Sequence, residues 1–395
     1  MTTTDTAAAA RRSMAENLRR HGFLDDPRWY RAFAEVPREA FLPAGFLRQG
    51  FGPTGADWAP VRPDSEGFLS EVYRDAALVT QVGGHIAPTD LEDAASAAGE
   101  PTCSSTQPSL MALMLDALGI EDGMRVVEIG TGVGYNSAII SHRLGQSNVT
   151  SIEYDPGLAE SARTALHAHT GTDDPLVITG DGAAGHPERA PYDRLIATCS
   201  FPAIPAAWLE QLRPGALLIA NLHRPLNTGI LALLRIQDDH TALGRIAPHY
   251  GGFMPTRAAA GIDPLTRHKE IWRDLEGAET RPSDLDLSAL DDGFRLHASF
   301  TLNIAELRLT SDDPDESALW LFGADGSAAR ATPTGDGTSV VEHGPTKLWT
   351  ALEQSHEQYQ QLGRPHRGTY RITANDHEQY VWHPANPDQH WLLGA

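Results

Sequence analysis

The part of this chain that most constrains its fold covers residues 125–155 and reads as a strand, a glycine-rich turn, a helix and a second strand. Apolar residues lead into a turn with Gly130, Gly132 and Gly134, an apolar helical pattern follows, and the second strand ends in Glu153. In a parallel sheet such a unit places the turn and Glu153 side by side, at the carboxyl ends of neighbouring strands. We therefore predict an α/β fold with a ligand site at that edge.

The glycine turn together with Glu153 predicts a nucleoside site. Glycines let a ligand approach the backbone, and the start of the following helix offers free N–H groups. The carboxylate can accept hydrogen bonds from both hydroxyls of a ribose. The dinucleotide fingerprint requires glycine or alanine where this chain has Tyr135. A nicotinamide dinucleotide site of an oxidoreductase, and an ordinary βαβ turn whose glycines only pack, are the alternatives.

The spacing E-I-G-T-G-V-G, with Glu128 two residues before the first glycine, resembles motif I of the class I methyltransferases. The resemblance implies a Rossmann-like sheet that binds S-adenosylmethionine and releases S-adenosylhomocysteine. In that family the early acid lies near the amino group of the methionine part, and the acid matching Asp181 contacts the adenine amino group. The resemblance assigns the following residues to the cofactor: Glu128, Gly130, Thr131, Gly132, Gly134, Tyr135, Asn136, Glu153, Tyr154, Asp181, Gly182 and Thr198.

Further segments resemble the protein-L-isoaspartate O-methyltransferases (PIMT, also PCMT). They are V-P-R-E-A-F-L-P at 36–43, V-Y-R-D-A-A-L-V-T-Q at 72–81 and F-M-P at 253–255. The segment P-T-C-S-S-T-Q-P-S-L at 101–110 resembles the T-I-S-Q-P loop of the family, whose serine lies beside the transferred methyl group. The resemblance covers about residues 11–257 and implies a carboxyl methyltransferase.

An alignment on Gln107 and Pro108 places the serine of that loop at Thr106, preceded here by Ser104 and Ser105. We predict that Thr106 orients the acceptor carboxylate and that Ser105 and Ser104 help. Because a side-chain carboxylate is already ionised at neutral pH, no acid–base catalyst is predicted.

The run S-S-T-Q-P-S-L is closer to the variants of this family that are associated with ribosomally synthesised, modified peptides (RiPPs), the lanthipeptides and graspetides. That resemblance implies methylation of an aspartate in a constrained peptide, after which the ester closes to a succinimide, also called aspartimide. Housekeeping repair of isoaspartate in proteins is the nearest alternative. A peptide scaffold that binds S-adenosylmethionine without catalysis is an alternative of another class.

The sequence predicts three parts: a disordered lead-in at 1–10, a methyltransferase domain with an N-terminal helical cover at 11–257, and an α+β accessory domain at 258–395. In the methyltransferase part, residues 48–68 are predicted as loop and 250–255 as a strand. In the accessory part, strict alternation of apolar residues predicts a strand over 294–304. We expect that this part helps to recognise the peptide.

The formal net charge of −21 argues against nucleic acid as a partner. No apolar run is long enough to span a membrane, and the first residues lack the pattern of a secretory signal, so a cytoplasmic location is predicted. The two cysteines, Cys103 and Cys199, make no metal pattern and are predicted to be small buried fillers. No metal is predicted.

Overall fold

The structure is a computed structural model that describes residues 3–52, 55–92, 95–172, 175–226, 228–256, 270–271, 275, 279–309, 318–335 and 337–394. The chain forms two compact units. The first comprises Met1–Cys199, Pro205–Ala220 and Leu233–Thr241, and the second comprises Ser200–Ile204, Asn221–Ala232 and Ala242–Ala395. The predicted boundary between 257 and 258 lies outside the described residues. The chain already contributes to both units from residue 200 onward.

The N-terminal segment is helical, so the predicted disordered lead-in is wrong for residues 3–10. Helix α1 (Thr3–Arg20) carries four consecutive alanines, which favour the helix, and Asp5 in its first turn complements the helix dipole. Leu18 is buried, at 2% exposure. Helix α2 (Pro27–Glu35) follows as predicted for a helical cover.

A five-stranded antiparallel sheet in the first unit leads to residues 104–106, the hydroxyl-rich segment. Its elements are β1 (Phe46–Gly52), β2 (Gly55–Val61), α3 (Phe68–Val72), β3 (Leu78–Val82), β4 (Ala97–Ala98) and β5 (Pro101–Ser105), in the strand order β4-β2-β1-β3-β5. The predicted loop at 48–68 is therefore wrong over β1 and β2. Glycine and proline dominate that stretch, but Leu47 and Trp58 on these strands enter a buried cluster with Val82.

The glycine turn lies in a second sheet, which is parallel where β6, β7, β8 and β9 pair. The elements are α4 (Pro108–Ala117), β6 (Val126–Ile129), α5 (Tyr135–Leu144), β7 (Val149–Glu153), α6 (Pro156–Thr170), β8 (Leu176–Thr179), β9 (Tyr192–Phe201), α7 (Ala206–Gln211), β10 (Leu212–Arg224) and β11 (Thr228–Ile236). The strand order is β8-β7-β6-β9-β10-β11. Strands β6 and β7 are buried along their whole length, including their polar residues Glu128, Thr150, Ser151 and Glu153.

Antiparallel strands and the helices α8 and α9 make up most of the described part of the second unit. Its elements are β12 (Ala242–Ile246), β13 (Arg281–Ser283), α8 (Asp292–Ala298), β14 (Ile304–Leu309), β15 (Ala318–Gly323), β16 (Ala328–Thr334), β17 (Gly337–His343), α9 (Leu348–Gln361), β18 (Arg371–Ala374), β19 (Gln379–His383) and β20 (Asn386–Leu392). One sheet has the order β13-β17-β16-β15-β14, and β12, β18, β19 and β20 are neighbours in another. Near the end of the chain, helix α9 precedes an antiparallel hairpin of β18 and β19.

Two predicted strands are wrong. Residues 292–298 form α8, which begins where the Asp291 carboxylate accepts a hydrogen bond from Phe294 N at 2.8 Å. Its buried apolar residues Phe294, Leu296 and Ala298 alternate along the sequence, which imitates the period of a strand. At 250–255 the structure has only an isolated bridge between Ser200 and Pro255. Strand β12, which was not predicted, pairs with β18 instead.

Two glycines with left-handed backbones allow a matched test of the first unit. A Cβ added to Gly45 would lie 2.0 Å from Val61 O, whereas one added to Gly22 would meet nothing within 4 Å. Left-handed backbone should cost both alanine variants about 1–2 kcal/mol of unfolding free energy, and overpacking should add about 1–3 kcal/mol for Gly45→Ala. Urea unfolding followed by circular dichroism measures the difference. Equal losses for Gly45→Ala and Gly22→Ala would contradict this packing.

Candidate functional site

The glycine turn between β6 and α5 is the centre of the candidate site. Gly130 and Gly132 have φ values of +91° and +54°, which favour glycine over residues with a side chain. A Cβ added to Gly130 would lie 3.1 Å from Thr198 Oγ1, and one added to Gly132 would lie 3.6 Å from Ser104 O. The turn therefore lies against the end of β9 on one side and against β5 on the other.

The third glycine of the turn has a packing role. At Gly134, φ is +89°, and an added Cβ would lie 3.4 Å from Leu166 Cγ and 3.5 Å from Ala162 Cβ, both on α6. Gly134 thus lets α5 begin close to α6. Its predicted contact with a cofactor stays a prediction.

Glu153 lies beside the turn, at the end of β7. Its Oε2 accepts a hydrogen bond from Gly132 N at 2.8 Å, and its Oε1 accepts one from Asp155 N at 3.0 Å. Each carboxylate oxygen keeps a further lone pair with which it could accept a hydroxyl donor. Tyr154 follows with 60% of its surface exposed, so an aromatic ring stands next to this carboxylate. The arrangement can hold a ribose and a flat ring beside it.

Glu128 is fully buried and is hydrogen-bonded to residues around the glycine turn. Its carboxylate accepts hydrogen bonds from Asn136 Nδ2 at 2.7 Å, from Ser151 Oγ at 2.6 Å and from the hydroxyl of Ser137. Burial raises the pKa of this carboxyl group, while the three donors oppose that shift. Thr131 Oγ1 lies 2.6 Å from Ser151 Oγ, so the same network also reaches the turn itself.

Asn136 carries an unused acceptor. Its Nδ2 is held by Glu128, and its Oδ1 is buried without a hydrogen-bond partner among the described residues. Tyr135, which precedes it, is buried at 1% exposure and packs its ring 5.9 Å from the ring of Phe41. Of these two predicted cofactor residues, Asn136 has a free group that suits an ammonium donor, and Tyr135 belongs to the core.

The remaining predicted cofactor residues lie on the loops after β8 and β9. Asp181 accepts a hydrogen bond from Ala183 N at 2.9 Å, and Gly182 O accepts one from Trp208 Nε1 at 2.8 Å. Thr198 Oγ1 donates to Gly130 O at 2.7 Å, so this hydroxyl supports the turn. Sequence reasoning missed Trp208, because nothing in a local motif links α7 to the loop at 181.

The hydroxyl-rich segment ends β5 and precedes α4. Ser104 and Thr106 are half-buried, whereas Ser105 is 2% exposed and its Oγ accepts a hydrogen bond from Arg38 Nε at 3.0 Å. Ser105 is therefore not accessible to a substrate in this arrangement. Ser104 and Thr106 are the two accessible hydroxyls of the predicted three.

Two residues that sequence reasoning did not single out hold this segment, Arg38 and Asp75. The Asp75 carboxylate accepts hydrogen bonds from Ser109 N at 2.9 Å and from Gln107 Nε2 at 3.2 Å. It thus caps the start of α4, where the Gln107 side chain makes no capping bond. Both missed residues lie within the segments that resemble the family, Arg38 as a fully buried side chain and Asp75 as an exposed one.

Both cysteines lie next to the turn. A Cβ added to Gly132 would lie 3.5 Å from Cys103 Sγ, and one added to Gly130 would lie 3.5 Å from Cys199 Sγ. Burial raises the pKa of the Cys199 thiol to about 12, so it stays protonated at neutral pH. Within the described ranges, no group of three or more His, Cys, Asp or Glu side chains is arranged to hold a metal ion. A search of those ranges also found no helix with the length and apolar character needed to cross a membrane.

Comparison with known proteins identifies the family. The family model described as protein-L-isoaspartate(D-aspartate) O-methyltransferase (PCMT) matches residues 66–246. The chain is 30% identical over 255 residues to protein-L-isoaspartate O-methyltransferase 2 of Archaeoglobus fulgidus, a match that covers 64% of this chain and 94% of that protein. It is 32% identical over 215 residues to the protein-L-isoaspartate O-methyltransferase of Thermotoga maritima, covering 54% of this chain and 56% of that protein.

A solved structure entitled protein-L-isoaspartate O-methyltransferase shares the fold, with a TM-score of 0.53 and 23% identity over 95% of this chain and 99% of that chain. The predicted Rossmann-like α/β class is confirmed. This chain belongs to the protein-L-isoaspartate O-methyltransferase family, whose members are S-adenosylmethionine-dependent carboxyl methyltransferases.

Proposed function

We propose that this chain transfers a methyl group from S-adenosylmethionine to a carboxylate of an aspartyl or isoaspartyl residue in a peptide or protein. One observation carries the proposal: the glycine turn lies against the strand that ends in the hydroxyl-rich segment. A Cβ on Gly132 would lie 3.6 Å from Ser104 O. A ligand on the turn and a carboxylate at Thr106 would therefore be close neighbours.

The residues at the turn suit S-adenosylmethionine, which supplies an electrophilic methyl group on a sulfonium when it is bound. Glu153 has acceptor capacity left for the ribose hydroxyls, and Asp181 would hold the adenine amino group as the family resemblance implies. The unpartnered Oδ1 of Asn136 would accept a hydrogen bond from the amino group of the methionine part. The positive φ values of Gly130 and Gly132 let the backbone of the turn approach a ligand closely.

The chain needs to position the acceptor, because the carboxylate is ionised at neutral pH. The Thr106 hydroxyl donates a hydrogen bond to the carboxylate, and Ser104 assists. Positioning of this kind can lower a reaction barrier by roughly 7–11 kcal/mol in well-oriented intramolecular reactions. Neutral hydroxyls orient the carboxylate without adding a positive charge beside the sulfonium.

The methyl ester then changes the chemistry of the peptide. The backbone nitrogen that follows attacks the ester carbonyl, a C–N bond forms, and the C–O bond to the methoxy group breaks. The proton lost by the nitrogen leaves with the methoxy group as methanol. The product is a succinimide.

The finer prediction is that the acceptor is an aspartate in a ribosomally synthesised, constrained peptide. The run S-S-T-Q-P-S-L supports it through its resemblance to the peptide-modifying variants. The alternative, repair of isoaspartate in proteins, is supported by the names of the relatives and by the fold shared over 95% of this chain with a protein of that title. Because that match covers nearly the whole chain, the presence of the C-terminal part does not show which of the two substrates the chain uses. Its role in peptide recognition, the cytoplasmic location and the exclusion of nucleic acid stay predictions.

A direct comparison of three peptides tests the substrate. The purified chain is incubated with S-adenosylmethionine and with a linear aspartyl peptide, its isoaspartyl form, or the aspartyl peptide cyclised through other side chains. We expect the cyclised aspartyl peptide to gain one methyl group and then to lose methanol, as followed by mass spectrometry. Methylation of the isoaspartyl peptide alone would favour repair. If no peptide were methylated and no S-adenosylhomocysteine formed, a non-catalytic scaffold would be favoured.

Replacement of Glu153 by glutamine should weaken cofactor binding. A Glu153→Gln side chain exchanges one acceptor oxygen for a donor, so it can no longer satisfy both backbone N–H groups and both ribose hydroxyls. We expect the Kd for S-adenosylhomocysteine to rise by about tenfold or more in isothermal titration calorimetry. The exposed Glu160→Gln on α6 is the control. Unchanged affinity in Glu153→Gln, or binding of NAD in place of S-adenosylhomocysteine, would reject this assignment.

Loss of the Thr106 hydroxyl should slow the reaction. Thr106→Val keeps the shape of the side chain and removes the donor, so kcat should fall by about tenfold or more while the Kd for S-adenosylhomocysteine changes little. Thr164→Val removes an exposed hydroxyl, which donates to Glu160 O at 3.0 Å, and serves as the matched control. Equal kcat values for the two variants would show that Thr106 does not orient the acceptor.

A further inference from the structure

Arg38 is a completely buried arginine whose hydrogen bonds go to uncharged oxygens. All three guanidinium nitrogens donate, and the acceptors belong to two chain segments, 72–76 and 105–106. The bonds are Nε to Ser105 Oγ at 3.0 Å, Nη1 to Val72 O at 2.8 Å and to Arg74 O at 3.3 Å, and Nη2 to Ala76 O, Ser105 O and Thr106 O, each at 3.0 Å.

The absence of a carboxylate from this set makes Arg38 unusual. A buried charge is normally paired, and its transfer from water is costly unless its donors are satisfied. Burial lowers the pKa of Arg38 to about 10, so the group still carries its charge at neutral pH. Within the described ranges, no carboxylate accepts a hydrogen bond from it. The planar guanidinium reaches several carbonyls at once, which a flexible ammonium does not.

Three of the bonds act on the hydroxyl-rich segment. The carbonyls of Ser105 and Thr106 both point at Arg38. Their peptide bonds are trans, since the one cis peptide in the described ranges is Ala190-Pro191. In a planar trans peptide the N–H points opposite to the carbonyl. The N–H groups of Thr106 and Gln107 therefore point away from Arg38, on the side opposite its positive charge.

Those two N–H groups are suited to an anion. Neither N–H donates a hydrogen bond within the described ranges. Successive backbone N–H groups turned to one side form a small concavity that binds carboxylates and other anions. With the carbonyls turned inward, the negative ends of the peptide dipoles are also kept away from an incoming carboxylate.

Arg38 also reaches the glycine turn. Its guanidinium carbon lies 5.8 Å from the centre of the Tyr135 ring, and Tyr135 is the first residue of α5 after that turn. One side chain thus contacts both the segment that receives the acceptor and the helix that begins at the cofactor turn. Its partners in the hydroxyl-rich segment are 67 and 68 positions away in the sequence.

We propose that Arg38 is a positioning residue that turns the Ser105 and Thr106 carbonyls inward, so that the Thr106 hydroxyl and the N–H groups of Thr106 and Gln107 face the acceptor carboxylate. The inference rests on the proposed methyl transfer. It adds a residue that touches neither substrate nor cofactor but determines the shape of the acceptor subsite.

The test compares Arg38→Gln with Arg143→Gln. Arg143 is a second buried arginine of the first unit, with 2% of its side chain exposed, and it donates to Asp122 and Ile120 O away from the hydroxyl-rich segment. Both variants lose a buried arginine. We expect kcat to fall by about tenfold or more in Arg38→Gln and by less than about threefold in Arg143→Gln, with the Kd for S-adenosylhomocysteine unchanged within about threefold in both.

Hydrogen–deuterium exchange gives a readout that does not depend on activity. Amides at 102–109 should exchange faster in Arg38→Gln than in the wild type, and amides at 130–137 should not. If the wild-type chain methylated no peptide, the proposed function would be rejected. The exchange rates would still show whether Arg38 holds the hydroxyl-rich segment in place.

Arg38→Lys keeps the charge with fewer donors and carries the test if Arg38→Gln does not fold. If both Arg38 variants fold, we expect the kcat of Arg38→Lys to lie between those of the wild type and Arg38→Gln. If only Arg38→Lys folds, we expect its kcat to fall by about tenfold. Equal fractional losses of kcat in the Arg38 and Arg143 variants, or unchanged exchange at 102–109, would overturn the inference.

Discussion

The close approach of the glycine turn to β5 is the constraint on which the site depends. A side chain at position 132 would occupy the space beside Cys103 Sγ and Ser104 O, and the backbone there has a positive φ of +54°. Glycine adopts this backbone without strain. The turn that is proposed to hold the cofactor can then lie next to the segment that is proposed to hold the acceptor. Glu153 secures the same turn through the N–H of Gly132.

Two buried charges stabilise the two halves of this arrangement without an ion pair between opposite charges. Glu128 is surrounded by donors from Asn136, Ser137 and Ser151, and Arg38 by carbonyls and one hydroxyl. Satisfied hydrogen bonds offset the desolvation of each charge. These hydrogen bonds fix the glycine turn and the hydroxyl-rich segment, which suits the proposed reaction, since its barrier is lowered by alignment.

The sequence predicted those parts of the site that are encoded locally. The glycine turn, the helix that follows it and Glu153 at the end of β7 follow from glycine spacing and apolar periodicity within about thirty residues. Arg38 was missed because its role depends on partners 67 or 68 positions away. The hairpin of β1 and β2 was missed because its glycines and prolines indicate loop. Helix α8 was predicted as a strand because its buried apolar residues Phe294, Leu296 and Ala298 alternate along the sequence.

The most direct measurement of the central claim is a crystal structure of the chain with S-adenosylhomocysteine and an aspartyl peptide. The account predicts the adenosyl group on the turn at 130–132, its ribose hydroxyls on Glu153, and the aspartyl carboxylate within hydrogen-bond distance of the Thr106 hydroxyl and facing the sulfur. A ligand bound elsewhere, or a carboxylate held away from Thr106, would contradict it.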